Sequence, residues 1–293
     1  MLDPTHLATL AAIHRHGSFD AAASALSLTP SAISQRIKSL EESTGTLLIR
    51  RSQPCAATPA GLRLIRHHDE TTLMERQLAA DLPSLSGGPA TLRLAVNADS
   101  LATWVIPALA ATDGFLFDLV IDDQDVSQDW LRRGEVVAAI TAHPGPLQGC
   151  DSHALGALRY RATASPAFAA RWFAQGLTAD SVAAAPALVY SRNDRLQDRW
   201  LARALGQRQA LPCHTLGSSQ GFVEACLLGL GWGMNPEPLV AAHLAAGRLV
   251  EIVPDSPLDV PLHWQFTRLA APALASLTRE IRARAARHLV PPA

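Results

Sequence analysis

Three groups of residues in this 293-residue chain have types and spacings that could do chemistry. Ser31, Ser34, Gln35 and Lys38 stand at i, i+3, i+4 and i+7, so on a helix they share one face, with Arg36 on its flank. Small hydroxyls, an amide and cations on one face suit a nucleic-acid groove. There Gln and Arg or Lys can read base edges, and Ser reaches bases or phosphates. Further along, Asn97-Ala98-Asp99-Ser100 and the acidic run Asp122-Asp123-Gln124-Asp125 each follow an apolar stretch. Such strand ends can offer backbone N–H groups to an anion and a carboxylate to a cation. The third group, Gly217-Ser218-Ser219-Gln220-Gly221, matches G-x-S-x-G, with Asp255 or Asp259 and then His263 in Ser…Asp…His order. It lacks an HGGG-like oxyanion segment, and His263 falls inside an expected strand. A serine hydrolase using Ser219 is therefore a remote alternative, and no enzyme is expected.

The polar face needs a helix to carry it, and the first sixty residues supply three. Asp3-Pro4 is an N-cap followed by a first-turn proline, and Gly17 is a stop. Ser18 caps a second helix whose Phe19, Ala22, Ala23 and Leu26 make a narrow inner face. Thr29-Pro30 repeats the cap-plus-proline start, and Ile33, Ile37 and Leu40 form the inner stripe of the third helix. The small residues let helices two and three pack closely, as a helix-turn-helix requires. Leu47-Leu48-Ile49-Arg50-Arg51 then reads as a strand, Pro54 to Ala57 as a turn and Thr58-Pro59 as a new start. That makes a wing with Arg50 and Arg51 placed for phosphates. On this reading Thr29, Pro30, Ser31, Ser34, Gln35, Arg36, Lys38, Arg50 and Arg51 face double-stranded DNA. A plain amphipathic helix with a solvated polar face is the alternative.

Thr58 to about Leu82 reads as one long helix with a thin stripe of Leu62, Ile65, Leu73, Leu78 and Leu82, closed by Pro83 and the loop to Pro89. A stripe of that kind is buried against a partner or against the chain's own body. From Thr91 strands and helices alternate, which predicts an α/β fold with mainly parallel pairing and ligands at strand ends. A helix is expected over 101–111 with Pro107 inside it, and strands near 155–162 and 262–268.

Charge and composition bound these readings. The chain carries 25 Lys+Arg and 26 Asp+Glu, and 48% of it is hydrophobic. Residues 1–67 hold seven basic and four acidic groups, and the remainder 18 and 22, so near-neutrality hides a basic head on an acidic body. No signal peptide or apolar membrane span is visible, so a cytoplasmic protein without membrane contact is expected. The four cysteines lie far apart, and neither metal nor cofactor is expected.

Phe19-Asp20-Ala21-Ala22-Ala23-Ser24-Ala25-Leu26, Ser31-Ala32-Ile33-Ser34-Gln35-Arg36-Ile37-Lys38-Ser39-Leu40-Glu41, Leu47-Leu48-Ile49-Arg50 and Thr58-Pro59-Ala60-Gly61 resemble the N-terminal domain of LysR-type transcriptional regulators. The resemblance continues through Ala95 to Trp104, Leu131-Arg132-Arg133-Gly134-Glu135-Val136-Val137, Leu155-Gly156-Ala157-Leu158 and Ala164 to Arg171. There it is closest to the ArgP/LysG branch, regulators of basic amino-acid export.

It implies a winged helix-turn-helix over 1–58, a dimerising linker helix and hinge over 59–89, and an effector domain over 90–293. The last would resemble a type II periplasmic binding protein, with lobe I over 90–162 and 267–293 and lobe II over 163–266. The implied partners are operator DNA, lysine or arginine, a homodimer or homotetramer, and RNA polymerase. The implied target is an amino-acid exporter gene. Asn97, Asp99, Ser100, Asp122, Asp123, Thr141, Ser165, Gly217 and Ser218 are the candidate effector contacts. For Asp99 an N-cap role, and for the acidic run a solvated loop, stay open. A regulator with a different small effector is the nearer alternative, and a solute-binding protein without gene control the more distant one.

Overall fold

The computed structural model describes residues 2–81, 90–122, 127–206 and 209–291. The head comprises α1 (Pro4–His16), α2 (Phe19–Ala25), α3 (Pro30–Thr44), β1 (Ile49–Arg50) and β2 (Ala56–Ala57), and α4 (Pro59–Asp81) leaves it. Each of the first three helices starts on an expected cap. Asp3, Ser18 and Thr29 accept from the backbone N–H groups of Thr5, Ala21 and Ala32, a contribution of about 1 kcal/mol apiece. Ile33, Ile37 and Leu40 join Leu7, Leu10 and Ile13 in one core. The wing is an antiparallel pair in register Ile49↔Ala57 and Arg50↔Ala56. Glu41 ties it to α3 by accepting from the Leu48 and Ile49 N–H groups at 2.8 and 3.3 Å.

The long helix does not keep one free stripe. Leu62 packs on the head core and Ile65 lies within it, whereas Leu73 is buried in the core of the body. Met74 and Leu78, about half exposed, are the large apolar side chains left on its surface among the described residues. Leu82 and the loop to Pro89 lie outside them.

The body follows in order. It opens with β3 (Ala90–Asn97), α5 (Ala98–Ser100), α6 (Ile106–Ala110), β4 (Phe115–Asp122), α7 (Ser127–Arg133) and β5 (Ala138–Thr141). After these come β6 (Cys150–Ala164), α8 (Pro166–Trp172), α9 (Ala179–Ala184), β7 (Ala187–Val189), α10 (Leu196–Leu205) and β8 (Cys213–Thr215). It ends with α11 (Ser219–Leu227), β9 (Gly233–Pro236), α12 (Glu237–Ala245), β10 (Val250–Glu251), β11 (Leu258–Thr267) and α13 (Ala275–His288). The single helix expected over 101–111 is a run whose Leu101–Val105 stretch is π-helical. A proline at 107 removes a backbone donor and crowds the preceding turn, and widening that turn accommodates it.

Mainly parallel pairing is corrected by the sheet. Its order is β10-β6-β11-β5-β3-β4, with β9 also on β6. Only β4-β3-β5 is parallel within it, while β6 and β11 pair antiparallel with each other and with their other neighbours. The reason is topological, because the chain leaves one lobe through β6 and must come back through β11. Their partners mark the crossing. Tyr160–Thr163 of β6 pairs with β9, and His263–Phe266 of β11 pairs with β5 beyond a register shift at Leu262/His263.

Candidate functional site

The first candidate surface is the outer face of α3 with the wing. Thr29 and Pro30 form the start of α3, Ser31, Gln35 and Lys38 are exposed and Ser34 is half-buried. Thr29 works as the cap and shares a 3.0 Å hydrogen bond with the Ser31 hydroxyl. Arg36 turns inward, its guanidinium 3.4 Å from the Thr9 hydroxyl, which separates it from the outward face. Arg50 and Arg51 are exposed, and the Arg51 guanidinium rests 5.0 Å from the Phe19 ring centre, which holds that cation beside α2. Gly61 permits the approach of α4 beneath the wing, since a Cβ there would sit 2.2 Å from the Leu48 carbonyl oxygen.

The second candidate is a narrow cleft between the lobes, with about 30 Å³ of free space, room for a water, so an amino acid would have to part its walls. Its first wall is Asn97, Ala98, Asp99 and Asp122, at the C-terminal ends of β3 and β4. Tyr190, Asp194, Ser219, Phe222 and Met234 face them from the second lobe. Asp99 spans the gap, accepting from the Ser219 hydroxyl at 2.6 Å and the Tyr160 hydroxyl at 2.8 Å. Burial pushes its carboxyl above the ordinary range and nearby Asp194 adds to this, while the two hydroxyls oppose it. Asp194 is also raised by burial, and it accepts from the Tyr190 and Leu196 N–H groups, both at 2.9 Å. Asp122 accepts from the Trp130 indole N–H at 3.0 Å.

The structure therefore brings together Asn97, Asp99 and Asp122 of the expected effector contacts. Ser100 is buried beneath the cleft wall, and Thr141 is buried with its hydroxyl accepting from the His143 N–H. Ser165 caps α8 and lines a separate groove beside Arg171 and Trp172. Gly217 and Ser218 are exposed, and Ser218 caps α11. Asp123 lies outside the described residues. Sequence reasoning missed Tyr190 and Asp194; Tyr190 stands just past β7, where the strand-end rule applied elsewhere would have reached it, whereas Asp194 lies farther along the following segment.

The elbow-like Ser219 does not meet its proposed partners. Its hydroxyl is on Asp99, Asp259 forms a two-pronged pair with Arg159 at 2.8 Å, and the buried Nδ1 of His263 has no hydrogen-bond partner among the described residues. Among those residues no cluster of His, Cys, Asp or Glu could hold a metal ion.

A winged helix-turn-helix joined to an α/β body with an acidic interlobe cleft defines a DNA-binding regulator that answers to a small molecule. Residues 4–62 match the family of bacterial regulatory helix-turn-helix proteins of the lysR family, and residues 86–286 match the LysR substrate binding domain. The chain belongs to the LysR family of transcriptional regulators, in the branch of LysG and ArgP. It is 44% identical to the HTH-type transcriptional regulator LysG of Mycobacterium tuberculosis, over 97% of this chain and 94% of that one. The crystal structure of ArgP from Mycobacterium tuberculosis has a TM-score of 0.83 to it at 43% identity, covering 100% of both chains. Full-length LysG from Corynebacterium glutamicum with bound effector Arg has a TM-score of 0.70 at 35% identity, covering 99% of this chain and 100% of that one. The chain is thus a regulator and not an enzyme.

Proposed function

We propose that this chain is a homo-oligomeric cytoplasmic regulator that senses arginine or lysine in the interlobe cleft and controls an amino-acid exporter gene. Its units are the head over 1–58, the connecting helix and segment over 59–89, and the sensor from 90. Ser31, Ser34, Gln35 and Lys38 read the operator, and Arg50 and Arg51 hold its phosphates. One observation carries the effector assignment: Asp99, Asp122 and Asp194 converge on a single small cleft. A guanidinium or ammonium with its α-amino group supplies positive charge that offsets the cost of burying those carboxylates. The Corynebacterium relative described with bound Arg supports the same class of ligand. For such a ligand to regulate, it must bind one arrangement of the lobes better than the other, since equal affinity shifts nothing.

Calorimetry of the full chain with L-arginine, L-lysine and L-leucine tests this. The two cations should bind at least about tenfold more tightly than leucine, the scale of one charge-assisted hydrogen bond. Equal or tighter leucine binding would remove the basic amino-acid reading. A second reading, a different and uncharged polar effector, draws on the commitment of Asp99 to Tyr160 and Ser219, which a polar ligand would replace bond for bond.

A further inference from the structure

We infer that α7 is a mechanical relay connecting the cleft to the DNA-binding head, through Asp122, Trp130, Arg133, Glu135 and His14. The inference rests on the interlobe cleft as the ligand site. Asp122 lines that cleft and accepts the Trp130 indole N–H at 3.0 Å. The Arg133 guanidinium lies 4.6 Å from the Trp130 ring centre and donates to Glu135 at 2.7 Å. The other oxygen of Glu135 lies 3.7 Å from Nε2 of His14 on α1, a close polar contact. Across the same ring, His14 Nδ1 accepts from the Ala57 N–H in the wing at 3.3 Å. Each link touches the next, and the series runs from a cleft wall to the strand that positions Arg50 across the hairpin.

Three further features make the series stiff. Glu135 is half-buried, and although burial works against its charge, His14 and Arg133 hold its carboxyl below the ordinary range. Gly134 adopts φ +71°, and the Arg66 side chain of α4 lies where a Cβ would stand, at 2.8 Å. Arg15 pairs with Asp69 at 2.5 Å, clamping α1 to α4 beside the contact. A seven-residue helix between two such anchors cannot stretch, so a displacement at Trp130 reaches Glu135. A cation that draws the Asp122 carboxylate into the cleft withdraws the acceptor from Trp130, and α7 then presents Glu135 differently to His14. Coupling of this kind is a free energy shared by two sites, and it is measured as non-additivity.

The test is a double-mutant cycle on DNA affinity in the full chain without any amino acid present. The probe is a duplex that the wild-type chain selects from a random-sequence pool. Asp122→Asn should change affinity for that duplex by about threefold or more, and in the Glu135→Gln background the change should shrink towards none. Trp130→Phe, which keeps the ring against Arg133 and loses the N–H, should behave as Asp122→Asn does and serves if that variant does not fold. No effect of Asp122→Asn or Trp130→Phe, or effects that multiply independently with Glu135→Gln, would overturn the relay. Because every arm is ligand-free, failure of arginine and lysine to bind in calorimetry counts against the effector reading alone.

Discussion

Asp99 illustrates how one side chain can hold two roles in sequence and settle into a third in space. Its place after β3 suits either an N-cap or a ligand carboxylate, yet it bridges the lobes through Ser219 and Tyr160. Burial raises the carboxyls of both Asp99 and Asp194, so the folded chain holds their protons above the ordinary carboxylate range. The ligand-free body therefore loses stability as pH rises from that range through the raised values. A cationic ligand favours the ionised form, so its affinity should weaken as pH falls through the same window, by up to about tenfold per pH unit for each proton displaced. Calorimetry with L-arginine at several pH values checks this, and Asp99→Asn should flatten the profile. An unchanged profile would assign the linkage to Asp194. Asp99 and Asp122 were legible because both follow clear strands. Asp194 was not, because the irregular segment after Tyr190 gives no periodicity to anchor a prediction.

At the scale of elements, the head was the most legible part of the chain. Its caps and stripes are local, and Asp3, Ser18 and Thr29 start their helices where the sequence places them. Short β9, with Gly, Asn and Pro among its four residues, carries no strand signal, and it forms because β6 offers an open edge. The direction of pairing was illegible for a related reason, since it depends on where the chain returns and not on the composition of β6 or β11. The outer face of α3 and the wing should separate experimentally. Ser34→Ala or Gln35→Ala should cost ~1–3 kcal/mol of operator binding per lost base contact and relax discrimination at single positions. Arg50→Ala or Arg51→Ala should weaken binding to every duplex and flatten its salt dependence, by a slope of about one per lost phosphate contact. Titrations of specific and scrambled duplexes at several salt concentrations distinguish the two. Identical behaviour of both sets would mean that α3 contacts phosphates rather than bases.

On the scale of the whole molecule, α4 joins the head to the body and carries the surface on which the proposed second copy would pack. The sequence shows one thin stripe, which could lie on the chain itself or on a partner, and the structure divides it. Ile65 and Leu73 are spent on the head and the body of the same chain, so only Met74 and Leu78 remain for another copy among the described residues. Two side chains at i and i+4 lie on one face of the helix, the spacing by which one helix can pack on its twin. Reading two half-sites at a fixed spacing needs such a pairing, because a single head contacts only one. Met74→Asp with Leu78→Asp should therefore turn the chain monomeric in sedimentation equilibrium and weaken specific operator binding. Its melting temperature should fall little, since neither side chain belongs to a core. Leu73→Ala is the informative contrast: it removes a buried side chain and should cost about 2–5 kcal/mol of stability. If the double variant stays oligomeric while Leu73→Ala dissociates, the pairing surface lies on the body and the exposed spot on α4 is only solvated.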